Sequence, residues 1–469
     1  MNYREAIDFL YSRLPMFHRI GAAAYKADLN NTIELCALLG NPQDALNHRS
    51  VHIAGTNGKG SVSHMLAAIL QTAGYKTGLY TSPHLLDFRE RIRINGKMIP
   101  EQEVISFIET YRGDFERISP SFFEWTVALA FNFFAKEKVD VAVIETGLGG
   151  RLDSTNVITP LLSVITNIGL DHTNLLGNSL ELIAAEKAGI IKRNIPVIIG
   201  ETQNETKNIF LEKAKQENAG IIFADEIFSA VKKDYEGEYM SLDVFTSSVS
   251  LREPPSPEGE GKIYSGKGSG STAHPSPQGE GPGVRRFLQN LHLDLTGDYQ
   301  LKNIVTVIAA VEQLKNHYSI TETALRNALK NVRSITELMG RWQILRKEPL
   351  VICDVAHNAE GIAYIVEQIK KTKHDKLHFV FGSVEDKDIS KILKILPVDA
   401  EYYFCRANIP RALDAEILAK QATNAGLRGK NYGSVNDAVK NALKNASTND
   451  MVFIGGSTFV VAEAIEVFI

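Results

Sequence analysis

The stretch VHIAGTNGKGS, residues 51–61, decides how the fold of this chain is interpreted. An apolar run at 51–54 leads directly into a turn of small residues, and a helical pattern begins at residue 59. Small residues let backbone N–H groups converge on phosphate oxygens, and the start of a helix adds its positive end. Lys59 would place a positive charge at the β- and γ-phosphates, and the Ser61 hydroxyl would bind Mg²⁺. The stretch predicts nucleotide binding. In the usual phosphate-loop motif the lysine is followed directly by Ser or Thr, whereas here Gly60 separates Lys59 from Ser61. The alternative is a Gly-rich turn that only caps a helix.

Outward from this stretch, short apolar runs alternate with helical patterns, which predicts βαβ units and a mainly parallel sheet. The predicted strands are 51–54, 77–81, 139–144, 161–166 and 195–199, and the predicted helices between them include 59–73, 122–137 and 179–190. The rhythm restarts after a helix-rich stretch at 299–332, with strands at 350–353, 377–381, 401–405 and 451–454. We therefore predict two α/β domains, 1–297 and 298–469, with the boundary near Gly297 and an active site between them at the carboxyl ends of strands.

Composition narrows the function. The chain has 469 residues, which is more than one core usually serves, and a formal net charge of −4. This charge argues against nucleic acid or an anionic membrane as the main partner. No apolar run reaches the length of about 18–20 residues that a membrane-spanning helix needs. Three scattered cysteines predict buried thiols in a reducing cytoplasm. Residues 253–283 contain 19 Pro, Gly or Ser among 31 residues and predict a mobile surface insertion.

Polar residues follow several of the predicted strands. Glu145 begins ETGLGGRLDSTN after the run at 139–144, where a metal-binding carboxylate is expected, although a Glu after a strand is usually a solvated loop residue. His172 ends TNIGLDH, and it is either a ligand or a structural hydrogen-bonding residue. Asp354 and His357 lie in DVAHN and would hold a ribose, an ammonium group or nothing. Arg341 is either a cation for phosphates or a surface charge.

Together these pieces resemble the folylpolyglutamate synthase/dihydrofolate synthase family of the Mur ligase superfamily. The resemblance covers the chain outside 253–283. Its motifs are GTNGKGS (55–61), TSPHLLDFRERIRING (81–96), SFFEW (121–125), ETGLGGRLDSTN (145–156), GLDH (169–172), EKAGIIK (186–192), GR (340–341) and DVAHN (354–358). The family pattern implies an α/β fold, with an N-terminal phosphate-loop ATPase domain of mainly parallel sheet and a C-terminal Rossmann-like domain. One departure is Asp298-Tyr299-Gln300, where the family commonly has a His-Gln pair.

The resemblance also implies site residues. ATP, the co-substrate, would contact Asn57, Gly58, Lys59, Gly60, Ser61, Asn303, Arg341 and Asp354. Two Mg²⁺ ions would be held by Ser61, Ser82, Glu145, His172 and Lys187, the last of these as a carbamate, and a monovalent cation is a further possible cofactor. The pterin-bearing substrate would meet Asp28, Leu29, Asn30, Asn31, Phe122, Phe123, Glu124, Leu152, Asp153 and Ser154. L-glutamate would lie near His357 and Ser457, and the residues expected to act in catalysis are Lys59, Lys187 and His357.

These residues predict an ATP-dependent ligase that adds L-glutamate to dihydropteroate, to reduced folates or to both, through an acyl phosphate. The alternatives are another Mur-type amino-acid ligase, a phosphate-loop kinase of small molecules and a nucleotide-gated scaffold protein. We expect a cytoplasmic monomer whose partners are small molecules, namely ATP, L-glutamate and folate or dihydropteroate, with no nucleic acid and no membrane.

Overall fold

The computed structural model describes residues 1–14, 28–247, 284–385 and 387–469. The predicted insertion at 253–283 lies outside the described residues. Within these ranges no helix has both the length and the apolar character needed to cross a membrane.

The largest sheet has eight strands in the order β4-β3-β2-β5-β1-β6-β7-β8. Every neighbouring pair from β2 to β8 is parallel, and β3 runs antiparallel to β2 and β4. The predicted mainly parallel sheet is confirmed, and Glu145, which was predicted to follow its strand directly, is the last residue of that strand. The strands, numbered in chain order, are β1 (Ser50–Ala54), β2 (Thr77–Tyr80), β3 (Ile92–Ile94), β4 (Lys97–Met98), β5 (Val141–Glu145), β6 (Leu162–Ile165), β7 (Val197–Ile199) and β8 (Ile221–Phe223).

A three-stranded antiparallel sheet was not predicted from the sequence. It consists of β9 (Phe228–Glu236), β10 (Tyr239–Ser247) and β11 (Val284–Leu293), in the order β11-β10-β9. The alternating buried residues of β10, Met240, Leu242 and Val244, pack into the core beside the large sheet. The sheet is hard to recognise because much of β9 is polar and exposed and because β11 follows the Pro/Gly/Ser-rich segment.

A second α/β sheet has six strands in the order β12-β13-β17-β14-β15-β16. The four predicted strands are its parallel centre, and the edge strands were not predicted because both are largely polar. The strands are β12 (Gln343–Arg346), β13 (Leu350–Cys353), β14 (Leu377–Phe381), β15 (Glu401–Cys405), β16 (Arg428–Tyr432) and β17 (Met451–Gly455). We call the part built on the eight-stranded sheet the N-terminal body and the part built on this sheet the C-terminal body.

Helices cover the faces of both large sheets, and several start at side-chain caps; Ser121 and Glu124 form a reciprocal capping box, for example. The described helices are α1 (Tyr3–Arg13), α2 (Asn30–Leu38), α3 (Lys59–Thr72), α4 (Glu101–Ile118), α5 (Phe122–Lys136), α6 (Thr173–Leu176), α7 (Leu180–Ala188), α8 (Asn204–Gln216), α9 (Ala224–Ile227), α10 (Gln300–Leu314), α11 (Glu322–Lys330), α12 (Val332–Thr336), α13 (Ala359–Lys371), α14 (Ser390–Leu393), α15 (Ala415–Asn424), α16 (Val435–Asn445) and α17 (Thr458–Glu466). Short 3₁₀ helices span Pro42–Leu46, Phe88–Arg91 and Ser154–Val157.

The packing of α10 and α11 bears on where the two bodies divide. Both helices pack in one apolar core with β1, α3 and β10, and this core extends to Leu338. The domain boundary near Gly297 stays a prediction, and this packing favours a boundary after Leu338 instead. The carboxyl ends of β1, β5 and β6 in the N-terminal body lie close to the turn after β13 in the C-terminal body, as the contacts below show.

Candidate active site

The phosphate loop, residues 55–61, connects β1 to α3 along a tightly packed path. A methyl group placed on Gly55 would lie 1.8 Å from Thr166 Oγ1, and one placed on Gly58 would lie 2.3 Å from Asn303 Oδ1. Gly58 also has a φ of +87°, a conformation that glycine adopts readily. The loop therefore needs its glycines for shape, because its backbone touches neighbouring polar side chains directly.

Two lysines converge on one carbonyl of this loop. Lys59 Nζ donates to Gly55 O at 3.1 Å, and Lys187 Nζ donates to the same oxygen at 2.8 Å. Lys187 lies on α7 and only 4% of it is exposed. Burial, and secondarily the charge of Lys59, lowers the pKa of Lys187 to about 7. Near neutral pH a large fraction of this amine is therefore unprotonated, which is unusual for lysine.

Glu145, at the end of β5, faces the same loop. Its carboxylate accepts the backbone N–H of Ser82 at 3.3 Å. Burial raises the pKa of Glu145 to about 7, against the opposing charges of Lys59 and Arg341. A methyl group on Gly60 would lie 3.2 Å from Arg341 Nη2 and 3.8 Å from Glu145 Oε2. A small cavity of about 60 Å³ opens at this point, and its lining includes Gly60, Ser82, Glu145, Arg341 and Val355, from both bodies.

Asp171 gathers cationic and imidazole groups from both bodies. Its carboxylate lies 3.4 Å from His357 Nε2, 3.4 Å from Lys387 Nζ and 4.0 Å from His172 Nε2. Burial alone would raise the pKa of Asp171, but the hydrogen bond of His357 and the charge of Lys387 hold it well below its usual range. Burial lowers the pKa of His172 to about 4, so this imidazole is neutral at pH 7. Sequence reasoning missed Asp171 and Lys387, although Asp171 lies inside the GLDH motif.

The turn after β13 is held mainly by hydrogen bonds to its own Asp354 side chain. Asp354 accepts three hydrogen bonds, from Tyr299 Oη at 2.6 Å, from Trp342 N at 2.7 Å and from Ala356 N at 2.8 Å. Burial raises the pKa of Asp354, and the Tyr299 hydrogen bond opposes that rise. The predicted ATP ligand Asp354 is therefore anchored to residues on both sides of the junction between the bodies.

Asn57 joins the phosphate loop to the C-terminal body. Its amide oxygen accepts from Asn358 Nδ2 at 2.9 Å, and its Nδ2 donates to Glu360 Oε2 at 3.0 Å. The other oxygen of Glu360 accepts from Asn167 Nδ2 at 3.2 Å. Asn167 also accepts the backbone N–H of Asn57 at 2.8 Å, within the N-terminal body. Sequence reasoning missed Glu360 and Asn167, because their partners are distant in the chain.

Gln300 connects two of the predicted nucleotide residues. Its Nε2 donates to Ser61 Oγ at 3.1 Å, and its Oε1 accepts from Asn303 Nδ2 at 2.7 Å. All three side chains are buried. The start of α10 therefore reaches the phosphate loop. The sequence analysis named Gln300 only as part of the departure from the family pattern at 298–300 and predicted no role for it.

The residues predicted to meet the pterin-bearing substrate form two groups. In one group, Asn31 Nδ2 donates to Glu124 Oε2 at 3.3 Å, and Glu124 also accepts the backbone N–H of Ser121 at 2.6 Å. Asp28 accepts from the backbone of Asn30 at 2.8 Å, and Leu29 precedes α2. The capping bonds give Glu124 a structural role in this structure; its contact with substrate stays a prediction.

The second group surrounds the loop after β5. Asp153 accepts from Gly147 N at 2.8 Å, from Leu148 N at 2.9 Å and from Thr155 N at 3.0 Å. These bonds occupy both carboxylate oxygens, so Asp153 holds the shape of the loop, with Leu152 half-buried and Ser154 buried on either side of it. A methyl group on Gly147 would lie 2.5 Å from the ring of Phe123, which brings this loop against α5.

Two predicted residues are less clearly placed. The Ser457 hydroxyl accepts from Val460 N at 3.2 Å and caps α17, which is a local role. The Phe122 ring lies 5.2 Å from the guanidinium carbon of Arg91, beside the substrate group on α5. A role for Ser457 in binding glutamate stays a prediction.

Comparison with known proteins defines the class first. Residues 53–265 match the Mur ligase middle domain, and residues 340–458 match the glutamate ligase domain of Mur ligases. The chain is thus a Mur-type ligase in both of its bodies.

Similarity over the whole chain then gives the family. The chain is 32% identical to the dihydrofolate synthase/folylpolyglutamate synthase of Bacillus subtilis, over 98% of each chain. It is 33% identical to the Escherichia coli protein of the same name, over 88% of this chain and 85% of that one. The structure of E. coli FolC in complex with DHPP and ADP matches with a TM-score of 0.78 and 30% identity, covering 100% of this chain and 97% of that one. This chain belongs to the dihydrofolate synthase/folylpolyglutamate synthase family.

Proposed function

We propose that this protein uses ATP to join L-glutamate to the carboxylate of dihydropteroate and of reduced folates, through an acyl phosphate. The observation that carries the proposal is the meeting of a phosphate loop with Glu145, Arg341 and the turn after β13 in a cavity between the two bodies. The family, whose E. coli member has been crystallised with ADP, supports ATP as the co-substrate. It also favours the folate branch over other Mur-type ligases and over a kinase.

The nucleotide would bind across the two bodies. The amides of the loop 57–61 and Lys59 would hold the phosphates, because N–H groups at a helix start and a mobile ammonium attract phosphate charge. Asp354 would hold the ribose, and Arg341, next to Gly60, would add charge at the phosphates. Asn303, on α10, packs against Gly58 and would hold the loop in its conformation.

The donor set fits Mg²⁺, although it does not form a ready-made metal centre. Among the residues the structure describes, no three His, Cys, Asp or Glu side chains lie together as a metal-binding group. Glu145 and the hydroxyls of Ser61 and Ser82 supply the oxygen ligands that Mg²⁺ prefers, and His172 is neutral and able to bind a metal. A carbamate on Lys187, formed by its unprotonated amine and CO₂, would add a further carboxylate. Bound Mg²⁺ would neutralise charge on the transferring phosphoryl group.

The chemistry then follows in two steps. The folate carboxylate attacks the γ-phosphorus of ATP, and the bond between this phosphorus and the oxygen bridging to the β-phosphate breaks. The products of this step are ADP and the acyl phosphate of the folate. The neutral amine of glutamate attacks the acyl carbon, and phosphate leaves as the amide forms. His357, whose Nε2 lies 3.4 Å from the Asp171 carboxylate, would orient the amine. Contact between the bodies through Asn57 and Glu360 would keep water from the acyl phosphate.

A glutamate-incorporation assay tests this proposal. Purified protein should release phosphate from ATP only when both L-glutamate and a pterin substrate are present, and parallel assays with dihydropteroate and tetrahydrofolate should both incorporate glutamate. Lys59→Ala should abolish turnover, by at least about 1000-fold, because it removes the charge that stabilises the transferring group. A stable phosphorylated product, or full activity in Lys59→Ala, would contradict the proposal. Lys136→Ala, at an exposed lysine paired with Glu103, is the matched control.

A further inference from the structure

Two neighbouring residues at the start of α10 contact different bodies of the protein. The Tyr299 hydroxyl donates to Asp354 Oδ2, after β13 in the C-terminal body, at 2.6 Å. The Gln300 amide donates to Ser61 Oγ, in the phosphate loop of the N-terminal body, at 3.1 Å. These two acceptors are the residues to which the proposed function gives opposite ends of one nucleotide, the ribose and the phosphates.

We propose that Tyr299 is a positioning residue for ATP, which together with Gln300 fixes the ribose-binding carboxylate of Asp354 at the correct distance from the phosphate loop. This inference rests on the proposed function, because it assumes that Asp354 binds the ribose. It adds a residue at the position where this chain departs from the His-Gln pattern of the family.

The linker before α10 holds Tyr299 firmly in place. A methyl group on Gly297 would lie 2.6 Å from the Tyr299 ring, so the ring rests against a glycine that leaves room for it. Asp298 is fixed from three directions, by Lys232 Nζ at 2.7 Å, by Tyr235 Oη at 2.9 Å and by Gln368 Oε1, which accepts from Asp298 N at 2.7 Å. A residue anchored on both sides has little freedom to lose when a ligand binds, as positioning requires.

The hydrogen bonds of Asp354 leave it able to bind a ligand. Tyr299 and Trp342 both donate to Oδ2, whereas, among the residues that the structure describes, only the backbone N–H of Ala356 donates to Oδ1. A carboxylate oxygen accepts two hydrogen bonds, so Oδ1 keeps a site for a ribose hydroxyl. The Tyr299 bond also fixes the rotamer of Asp354 and favours its ionised form, which is the better acceptor.

The experiment measures nucleotide binding to the full chain by calorimetry, with Tyr299→Phe as the variant. Its ligands are ADP, 2′,3′-dideoxy-ADP and inorganic tripolyphosphate. Tyr299→Phe keeps the ring and removes the hydroxyl, so the Kd for ADP should rise about 10-fold, the size expected for one hydrogen bond to a charged group. The Kd values for dideoxy-ADP and tripolyphosphate should change less than about twofold, because these ligands do not use Asp354. The KM for ATP should rise with the Kd for ADP, while kcat stays within about twofold.

Tyr3→Phe is the matched control. Tyr3 donates its hydroxyl to the Asp87 carboxylate at 2.8 Å, and neither residue belongs to the proposed nucleotide site or to the linker that holds Tyr299. The control should leave all three Kd values unchanged.

Each other result has one meaning. Equal weakening of ADP and dideoxy-ADP in Tyr299→Phe, or unchanged ADP binding, would overturn the positioning role and leave the proposed function intact. If the unmodified protein binds dideoxy-ADP as tightly as ADP, the assignment of Asp354 to the ribose is wrong, and the inference fails together with that part of the proposed function.

Discussion

The phosphate loop at residues 55–61 and the turn at residues 354–358 both follow buried parallel strands, yet they are built in different ways. The loop consists of small residues, and its supports are groups of its own body, such as Thr166 and Lys187. The turn carries three polar side chains, Asp354, His357 and Asn358, and their partners are Tyr299 in the linker and Asp171 and Asn57 in the N-terminal body. The loop is thus shaped mainly within its own body, although Asn57 and Gly60 also contact the C-terminal body, whereas the turn takes more of its side-chain partners from outside.

The loop should be most sensitive to a change of shape. Gly55→Ala would place a methyl group 1.8 Å from Thr166 Oγ1, which itself donates to Asn57 O at 2.6 Å. Either the loop or Thr166 must move, so we expect the free energy of unfolding to fall by about 3 kcal/mol, as for overpacking in a core. Urea denaturation measures this loss.

Gly113→Ala provides the comparison for that variant. Gly113 lies within α4, and a methyl group there would have no atom within 4 Å. Alanine favours a helix over glycine by about 0.5–1 kcal/mol, so this variant should be slightly more stable than the unmodified protein. If Gly55→Ala and Gly113→Ala change the free energy of unfolding equally, close packing around the loop does not require a glycine at position 55.

The burial of Lys187 beneath the loop should make the free energy of unfolding depend on pH. The pKa of Lys187 is lowered from 10.5 to about 7 in the folded protein, so between these values the unfolded chain binds more protons than the folded one. Stability from this group therefore rises with pH over that window, by up to about 1 kcal/mol per pH unit. Lys187→Met should flatten the rise between pH 7.5 and 9.5, measured by urea denaturation in CO₂-free buffer.

Two features make this measurement specific. Glu145, whose pKa is raised to about 7, acts in the opposite direction, because its protonated form contributes stability that is lost as pH rises from about 4.5 to 7. The chosen window lies above that range. Lys136→Met changes an exposed lysine and should keep the slope of the unmodified protein. An unchanged slope in Lys187→Met would mean that Lys187 is protonated in the folded protein.

The same difference explains how much the sequence predicted. The parallel sheets, the phosphate loop and the strand-end positions of Glu145, His172 and Asp354 follow from local patterns, because apolar runs and small residues carry that information in order along the chain. The family resemblance supplied the remaining site residues, and the comparisons confirmed the family. Local pattern alone placed Glu145, His172 and Asp354 at the ends of their strands, and their roles in binding stay predictions.

What the sequence did not predict depends on contacts between distant segments. Glu360 meets the phosphate loop only where α13 packs beside it, Asn167 reaches Asn57 from 110 positions away, and Gln300 reaches Ser61 from 239 positions away. The antiparallel sheet was missed because polar residues interrupt the apolar ones in β10 and because β9 beside it is largely polar. Asp153 looked like a ligand in a motif, but its oxygens accept backbone N–H groups of its own loop. Motif position does not distinguish a residue that binds a ligand from one that shapes the loop.

The contact between the bodies should be the smallest of these effects, and Glu360→Ala measures it. The variant removes the acceptor for Asn57 Nδ2 and Asn167 Nδ2, which lie 3.0 and 3.2 Å from the carboxylate. The variant also removes two destabilising contributions, the burial of the Glu360 carboxylate and its repulsion by the charge of Glu201, both of which raise the pKa of Glu360. The Asn57 side chain is only partly buried and regains water, whereas the Asn167 side chain is 5% exposed and loses its partner, so the net loss of stability should be about 1 kcal/mol. Urea denaturation again provides the value.

Glu367→Ala, on the same helix, separates this contact from the loss of any acidic residue. Glu367 is exposed and pairs only locally with Lys370, so its removal should cost less than about 0.5 kcal/mol. A gain of stability in Glu360→Ala would mean that the cost of burying this carboxylate exceeds the value of its two hydrogen bonds. In that case the turn at 354–358 and α13 would be held beside the phosphate loop by the linker and Asn358, and the dependence of the turn on the other body would be weaker than its contacts indicate.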